Sequence, residues 1–584
     1  MSVKLAKTAG FCMGVRRAVD IVLDLAQKRR RQTIYTYGPL IHNPQTVELL
    51  RNRGIVPIRS LAEIDSTDKT ALLIIRAHGI SPAEMSKVGK LGIRVVDATC
   101  PRVAHVQKII RKHASQGYEI LILGDAEHPE VNGLLGFAGD RGIVIGDLAA
   151  VDRLPDLRKV CVVAQTTQDV EGYRRMVGRI RERFPDAVVF DTICDSTERR
   201  QAEVKELAGE MDAMFVVGGR NSANTRRLAT LSKLEGKPTF HVETVEEIEG
   251  IDVDRFDRIG VSAGASTPNW TIDRVVSMLV QRQGKSRGPY RHLLDFWDFL
   301  VRTDIYSALG AGCLSASCSL LQGRHVLLLH VLIAALYVYA MHTLNRLTDR
   351  RSSWRIGSFR EDAYPRQEPL FIALCASALF VALVLAYLDG PQTFLLLLFM
   401  SAAGGLYNVN LLPEGWRFRS LKDLPGSKNI SMAVAWAAST ALLPVLDNEP
   451  YLQPSVIVSF LFVGGLVFTR SALSDVVDIQ KDRFLGKETL PVVIGKERTQ
   501  TLLKVLIALL LVLLVCAYPL GWTSSVAFTL TACVFYLWIC LDLCDRRSEL
   551  SGAVLEGLLE TVYIIAGFSC LVWLVLPGFI TVQR

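Results

Sequence analysis

The sequence predicts two structures in one chain: an α/β half of three similar parallel-sheet units, then an all-α membrane domain of about nine transmembrane helices. Three observations carry this. Composition changes abruptly near residue 285, from mixed charged sequence to long apolar runs split by short polar ones. Short β-branched strands alternate with helical patterns through the first 280 residues, as βαβ units do. A strand–cysteine–helix pattern also occurs three times at near-even intervals, at Cys12, Cys100 and Cys194. The chain of 584 residues has room for several domains. We divide it into residues 1–280, a basic linker at 281–295 and a second domain at 296–584.

Charge and cysteine use narrow the function classes. The net charge of +8 is modest and gives no nucleic-acid footprint. Met1-Ser2-Val3-Lys4 enters a strand directly, with no apolar signal region, so the first half is expected in the cytoplasm. Only four of the 12 cysteines fall in that half, which does not read as an extracellular disulfide framework.

In chain order, Val3–Ala6 leads to Cys12 and a helix from about Val15 to Leu25. Further strands read at Thr33–Tyr37, Ala71–Ile75, Arg94–Val96, Ile120–Leu123, Val160–Ala164, Ala187–Ile193, Met214–Val217 and Arg258–Val261. Cys100 and Cys194 follow two of them and open helices. A helix N-terminus favours a thiolate. Three thiolates suit a soft metal centre and leave an iron–sulfur cubane one ligand short of four, so one iron stays open to substrate. Zinc is the alternative, although no CxxC pair or finger spacing is present. For any one cysteine, core packing is the plain reading; Cys161, inside a strand, takes it.

Polar groups follow the other strands. His42, His78 and His128 each follow a strand end, where imidazoles can hold phosphate oxygens or move protons. Glu130 is placed to donate or relay a proton. Gln165-Thr166-Thr167, Asn221-Ser222-Ala223-Asn224 and Ser262–Ser266 lie where helix caps also bind anions. Together they describe a diphosphate pocket, without a Walker A sequence.

The set AGFCMGV, PLIHNP, RAHG, DATCP, EHPEVNG, QTT, DTICDSTERRQ, GGRNSANTRRL and GVSAGAST resembles the LytB family, the 4-hydroxy-3-methylbut-2-enyl diphosphate reductases, over about residues 1–280. The resemblance implies a [4Fe–4S] cluster on Cys12, Cys100 and Cys194, fed by reduced ferredoxin or flavodoxin. It implies that His42, His78, His128, Ser222, Asn224 and Ser266 hold the diphosphate, while Glu130 and Thr166 handle the hydroxyl and its proton. The family usually has two serines before the asparagine; here the second is Ala223, which predicts weaker binding rather than lost activity.

Nine apolar segments follow, at about 303–321, 324–342, 369–388, 391–407, 429–446, 454–470, 501–521, 523–543 and 555–577. Several approach the twenty residues that span a bilayer. Lys and Arg crowd alternate loops: Arg346, Arg350 and Arg351, then Arg417, Arg419 and Lys422, then Lys481, Arg483 and Lys487. The positive-inside rule makes these loops cytoplasmic, in an inner-membrane protein with its first half inside. In the same loops Asp475, Asp478 and Asp482 share a helical face, a chemistry for Mg²⁺ and a diphosphate. This DxxDxxxD run, GKETLPVVIG after it, and LYNV with LKDLPGSKN resemble the UbiA family of membrane prenyltransferases. That implies Mg²⁺-assisted prenyl transfer to a membrane lipid, with Asn345 and Asp349 left from the family's first motif. Arg346 and Ser353 stand where that motif has carboxylates. A non-catalytic anchor or lipid-binding module is the alternative.

Overall fold

Three four-stranded sheets, every pairing parallel, make up the first unit, Met1–Ser286, of the computed structural model. The structure describes all residues except 1, 29–31, 42, 66–67, 69, 284–290, 354–367, 408, 410–419, 447–452, 546–551 and 576–584. Strand β1 is Ser2–Leu5. One sheet follows it, from β2 (Ile34–Tyr37), β3 (Ile55–Ile58), β4 (Leu72–Ile75) and β5 (Arg94–Asp97). The next has β6 (Glu119–Leu123), β7 (Gly142–Ile145), β8 (Val160–Ala164) and β9 (Val188–Val189). Then β10 (Ala213–Val217), β11 (Thr239–Val242) and β12 (Arg258–Ala263) return to pair with β1.

The three sheets share one topology. Their orders are β3-β2-β4-β5, β7-β6-β8-β9 and β11-β10-β12-β1. In each, the first two strands of a unit run outward one way and the last two the other. The topological switch point therefore lies between the first and third strands, where parallel sheets place ligands. In the third sheet the chain's first strand fills the fourth place. Central strands are apolar on both faces, as helices packed on both sides require: Leu72–Ile75 and Val160–Ala164 are buried throughout.

The second unit, Arg287–Arg584, is helical among its described residues. Six of its helices are long and apolar enough to cross a membrane: Leu328–Thr348, Glu368–Asp389, Pro454–Leu485, Lys496–Ala517, Val526–Cys544 and Val554–Val575. This corrects the expectation of nine. Two of the remaining segments are the shorter helices Ile305–Leu321 and Pro391–Tyr407. The third breaks from an α-helix at Ser427–Ala437 into a π turn at Ala438–Leu442 and a 3₁₀ turn at Leu443–Val445. Pro444, with no N–H to donate, cannot continue an α ladder there. Phe380, Leu388 and Phe399 stand exposed on the outer faces of their helices, as lipid-facing side chains would. Of the basic loop residues, Arg417 and Arg419 lie outside the described residues.

Candidate functional site

The shared topology turns separate sequence motifs into equivalent positions. Five residues past the first strand of each sheet stand His42 (β2), His128 (β6) and Ser222 (β10). His128 and Ser222 cap the helices Pro129–Ala138 and Ala223–Leu234. Seven past the same strands, Glu130 matches Asn224. Three past the third strands stand His78 (β4), Thr167 (β8) and Ser266 (β12). Each histidine follows a strand end, but the ends are not equivalent: in sequence His42 and His128 follow first strands, and His78 a third. His42 lies outside the described residues.

Each cysteine follows the fourth strand of its sheet and precedes a helix. Cys12 leads into Met13–Lys28, Cys100 into Pro101–Ser115 and Cys194 into Asp195–Glu210. The same hydrogen bond recurs three times. The cysteine N–H donates to the carbonyl two residues past the third strand: Cys100 to Ala77 at 2.9 Å, Cys194 to Thr166 at 3.0 Å and Cys12 to Ala265 at 3.1 Å. Every cysteine is therefore fixed to the loop that carries, at that residue or the next, His78, Thr166 or Ser266.

Glu130 is buried, and its carboxylate accepts the Thr166 N–H at 2.7 Å and the Thr166 hydroxyl at 2.9 Å. Burial pushes its carboxyl above the ordinary range; the Thr166 bonds and the Arg227 charge oppose this without cancelling it. A carboxyl so placed keeps its proton to higher pH than an exposed one. The Glu130 N–H donates to His128 Nδ1 at 3.2 Å. Accepting that bond requires a lone pair on Nδ1, so neutral His128 carries its proton on Nε2. His78 and His128 meet edge to face, their rings 5.2 Å apart.

Asn224 and Ser266 are buried, and neither Asn224 Nδ2 nor Ser266 Oγ has a hydrogen-bond partner among the described residues. Unmet buried donors are costly, and an anion that accepts from them removes the cost. Ser222 Oγ accepts the Thr225 N–H at a long 3.4 Å. Ala223 occupies the first turn beside it, buried and without a hydroxyl.

The cysteine centre leaves room for a group. A Cβ on Gly14 would sit 2.5 Å from Cys100 Sγ and 4.0 Å from Cys12 Sγ, so glycine preserves the space between them. Burial raises the Cys100 thiol, helix N–H groups lower it, and the charges of Cys12 and Cys194 reach it. Among the described residues no three His, Cys, Asp or Glu side chains gather closely enough for one metal ion. The three thiols lie within electrostatic reach of one another, and thiolate donors suit an iron–sulfur group.

In the second unit Asp475 and Asp482 are buried and Asp478 half-buried, on the helix Pro454–Leu485. Asp475 accepts from Lys428 Nζ at 3.1 Å and Asn429 Nδ2 at 2.9 Å; Asn429 in turn accepts from Ser471 at 2.9 Å. At the first-motif position a cation stands beside a buried carboxylate. Arg346 pairs there with Asp304, which is fully buried in a left-handed conformation at φ 63. Asn345 is exposed, and the Asp349 side chain is outside the described residues.

Three polar groups escaped the sequence reading. Arg227 donates to the Thr167 carbonyl and pairs with Asp125 at 3.3 Å, joining two loops of one sheet. Asn43 caps Pro44–Arg51 with Oδ1 and leaves Nδ2 unpaired among the described residues. Arg200 is buried on the Cys194 helix. Its sequence signal was available: Arg200 falls with Thr197 and Val204 on one buried helical stripe.

Residues 3–280 match the family described as LytB protein, and residues 305–555 match the UbiA prenyltransferase family. A 4-hydroxy-3-methylbut-2-enyl diphosphate reductase of Pelobacter propionicus is 43% identical over 279 residues, covering 48% of this chain and 98% of that protein. The Geobacter sulfurreducens reductase is 40% identical over 288 residues, covering 49% of this chain and 100% of its own length. A solved (E)-4-hydroxy-3-methyl-but-2-enyl diphosphate reductase is 39% identical, covering 48% of this chain and 100% of that one, with a TM-score of 0.37. A UbiA homolog from Archaeoglobus fulgidus bound to GPP and Mg²⁺ is 20% identical, covering 47% of this chain and 98% of that one, with a TM-score of 0.36.

Proposed function

The chain belongs to the LytB family, and from that premise we propose that its first half removes the hydroxyl of 4-hydroxy-3-methylbut-2-enyl diphosphate, giving isopentenyl and dimethylallyl diphosphates. Cys12, Cys100 and Cys194 would hold a [4Fe–4S] cluster, which supplies electrons and an open iron for the hydroxyl. Two electrons and two protons replace the allylic C–O bond by a C–H bond, one proton leaving with the hydroxyl as water and the other ending on carbon. Reduced ferredoxin or flavodoxin is the donor class we assign.

The observation that carries this reading is the Glu130–Thr166 pair, tied through the Thr166 carbonyl to the Cys194 N–H. It sets a buried carboxyl, biased toward its acid form, beside the cysteine centre. Thr166 orients the substrate hydroxyl, and Glu130 gives the proton with which it leaves as water. His128 Nε2–H, Asn224 Nδ2 and Ser266 Oγ supply donors for the diphosphate, with Ser222 on the Asn224 loop; His42 and His78 are the further donors we assign. The test is product analysis under anaerobic conditions with a low-potential reductant. The parent chain should convert the substrate to both five-carbon diphosphates, and Glu130→Gln should not. An unchanged substrate with an intact cluster would contradict the reading.

For the second half we infer prenyl transfer from a polyprenyl diphosphate to a membrane lipid. Asp478 and Asp482 would hold Mg²⁺, which neutralises the departing diphosphate. The Lys- and Arg-rich alternate loops favour the inner membrane, with the first half in the cytoplasm. The pairing of Arg346 with Asp304 favours a second reading, an anchor that has lost transfer. Asp478→Ala separates them: an anchor is indifferent to it, and a transferase is not.

A further inference from the structure

Arg200 lies six residues past Cys194 on the helix that this cysteine opens. Only 4% of it is exposed. Its guanidinium reaches the segments that hold a different cysteine. Nη2 donates to the Gly10 carbonyl at 2.6 Å and Nη1 to the Ala263 carbonyl at 3.1 Å. Gly10 stands two residues before Cys12 at φ 103, where glycine alone is unstrained. Ala263 ends β12, two residues before the Ala265 carbonyl that takes the Cys12 N–H. One side chain thus spans from the Cys194 helix to both segments around Cys12.

The repeat shows that packing does not require it. Six residues past Cys100 and Cys12, the same helical position holds Val106 and Ala18, 1% and 0% exposed. Two of the three sites are filled by apolar side chains, and one by a cation. Among the described residues that cation has no ion-pair partner, and its Nε has no acceptor. A lone buried charge costs several kcal/mol unless something of opposite sign faces it. Burial disfavours the guanidinium charge, and Cys12, Glu203 and Cys194 offset that.

We propose that Arg200 is a positioning residue that ties the Cys12 loop to the Cys194 helix and supplies the fixed positive charge that sets the reduction potential of the group held by these thiolates. The inference rests on the cluster reading above. Positive charge near an iron–sulfur cluster favours its reduced state. Arg200→Lys keeps the charge and Arg200→Gln removes it, while each can still donate to a carbonyl.

The experiment is an anaerobic redox titration of the full chain and both variants, followed spectroscopically, with iron and sulfide counted in each. Arg200→Gln should shift the oxidised-to-reduced ratio at fixed potential at least tenfold toward oxidised, about 59 mV for one electron. Arg200→Lys should stay near the parent. Equal potentials in parent and Arg200→Gln would overturn the charge assignment. So would loss of iron from both variants while the parent keeps it, because that marks a structural tie alone. A parent that assembles no cluster would overturn the cluster reading and this inference with it.

Discussion

The candidate pocket of the first half and the ion pairs of the second treat buried polarity differently. In the first, Asn224 Nδ2 and Ser266 Oγ are buried with no partner among the described residues. In the second, three buried charges are paired within the protein: Asp304 with Arg346, Asp475 with Lys428, and Arg470 with Glu556 and Glu560 at 2.8 and 2.6 Å. The first arrangement is costly until an anion arrives; the second is already compensated. Unmet donors mark a site shaped before its ligand binds. Matched charges mark one in which a ligand must compete with the protein's own pairs.

The largest effect expected is at Glu130. Glu130→Gln keeps the shape and removes the proton, and should lower turnover by about 10²–10⁴-fold. Because burial raises the Glu130 carboxyl, activity in the parent should fall as pH rises through that raised value. The glutamine variant should lack that alkaline limb in a pH–rate profile. A limb unchanged in the variant would assign the acid elsewhere.

Next is the matched pair of the second half. Asp304→Asn strands Arg346 and should cost about 3–5 kcal/mol, read as a lower thermal midpoint of the detergent-solubilised chain. Reductase turnover at low temperature should not change. Retained stability would mean that Arg346 is compensated by something other than Asp304.

Asp478→Asn should abolish lipid prenylation and spare the reductase, which product assays on one membrane preparation can read together. The smallest effect is at Ala223. Ala223→Ser adds one hydroxyl to the anion pocket and should tighten diphosphate binding about tenfold, the worth of one hydrogen bond to a charged group. Equal KM values in the two chains would place position 223 outside the pocket.

Much of this was legible in the sequence because it is local. A β-branched run followed by a polar group and a helical stripe fixed the strands at 72–75 and 160–164, and the places of Cys100 and Glu130. The strand before Cys194 shrank to Val188–Val189, because past it the Thr192 hydroxyl accepts the Ala164 N–H and donates to the Ala164 carbonyl in place of a backbone ladder. What escaped was long-range. The closure of β1 onto β12 joins residues 2–5 to 258–261, and no window reads that pairing. The equivalence of His128 with Ser222, and of His78 with Ser266, needed strand order. Arg200 shares the helical stripe of Thr197 and Val204, but its reach to the Gly10 and Ala263 carbonyls is long-range and no window reads it. In the second half, hydropathy found the apolar segments but not the π turn ahead of Pro444 that interrupts one of them.

The most direct test of two enzymes in one chain follows labelled 4-hydroxy-3-methylbut-2-enyl diphosphate in anaerobic membranes that contain the full chain. Reductant, Mg²⁺, a prenyl-chain synthase and lipid extract are supplied, with Cys194→Ala and Asp478→Ala chains in parallel. The account predicts label in a prenylated lipid with the parent chain. It predicts label halted at soluble isoprenoid diphosphates with Asp478→Ala, and unconverted substrate with Cys194→Ala. Equal lipid labelling by the parent and Asp478→Ala chains would contradict transfer by the second half. Full conversion by Cys194→Ala would contradict the three-cysteine centre on which the first half is built.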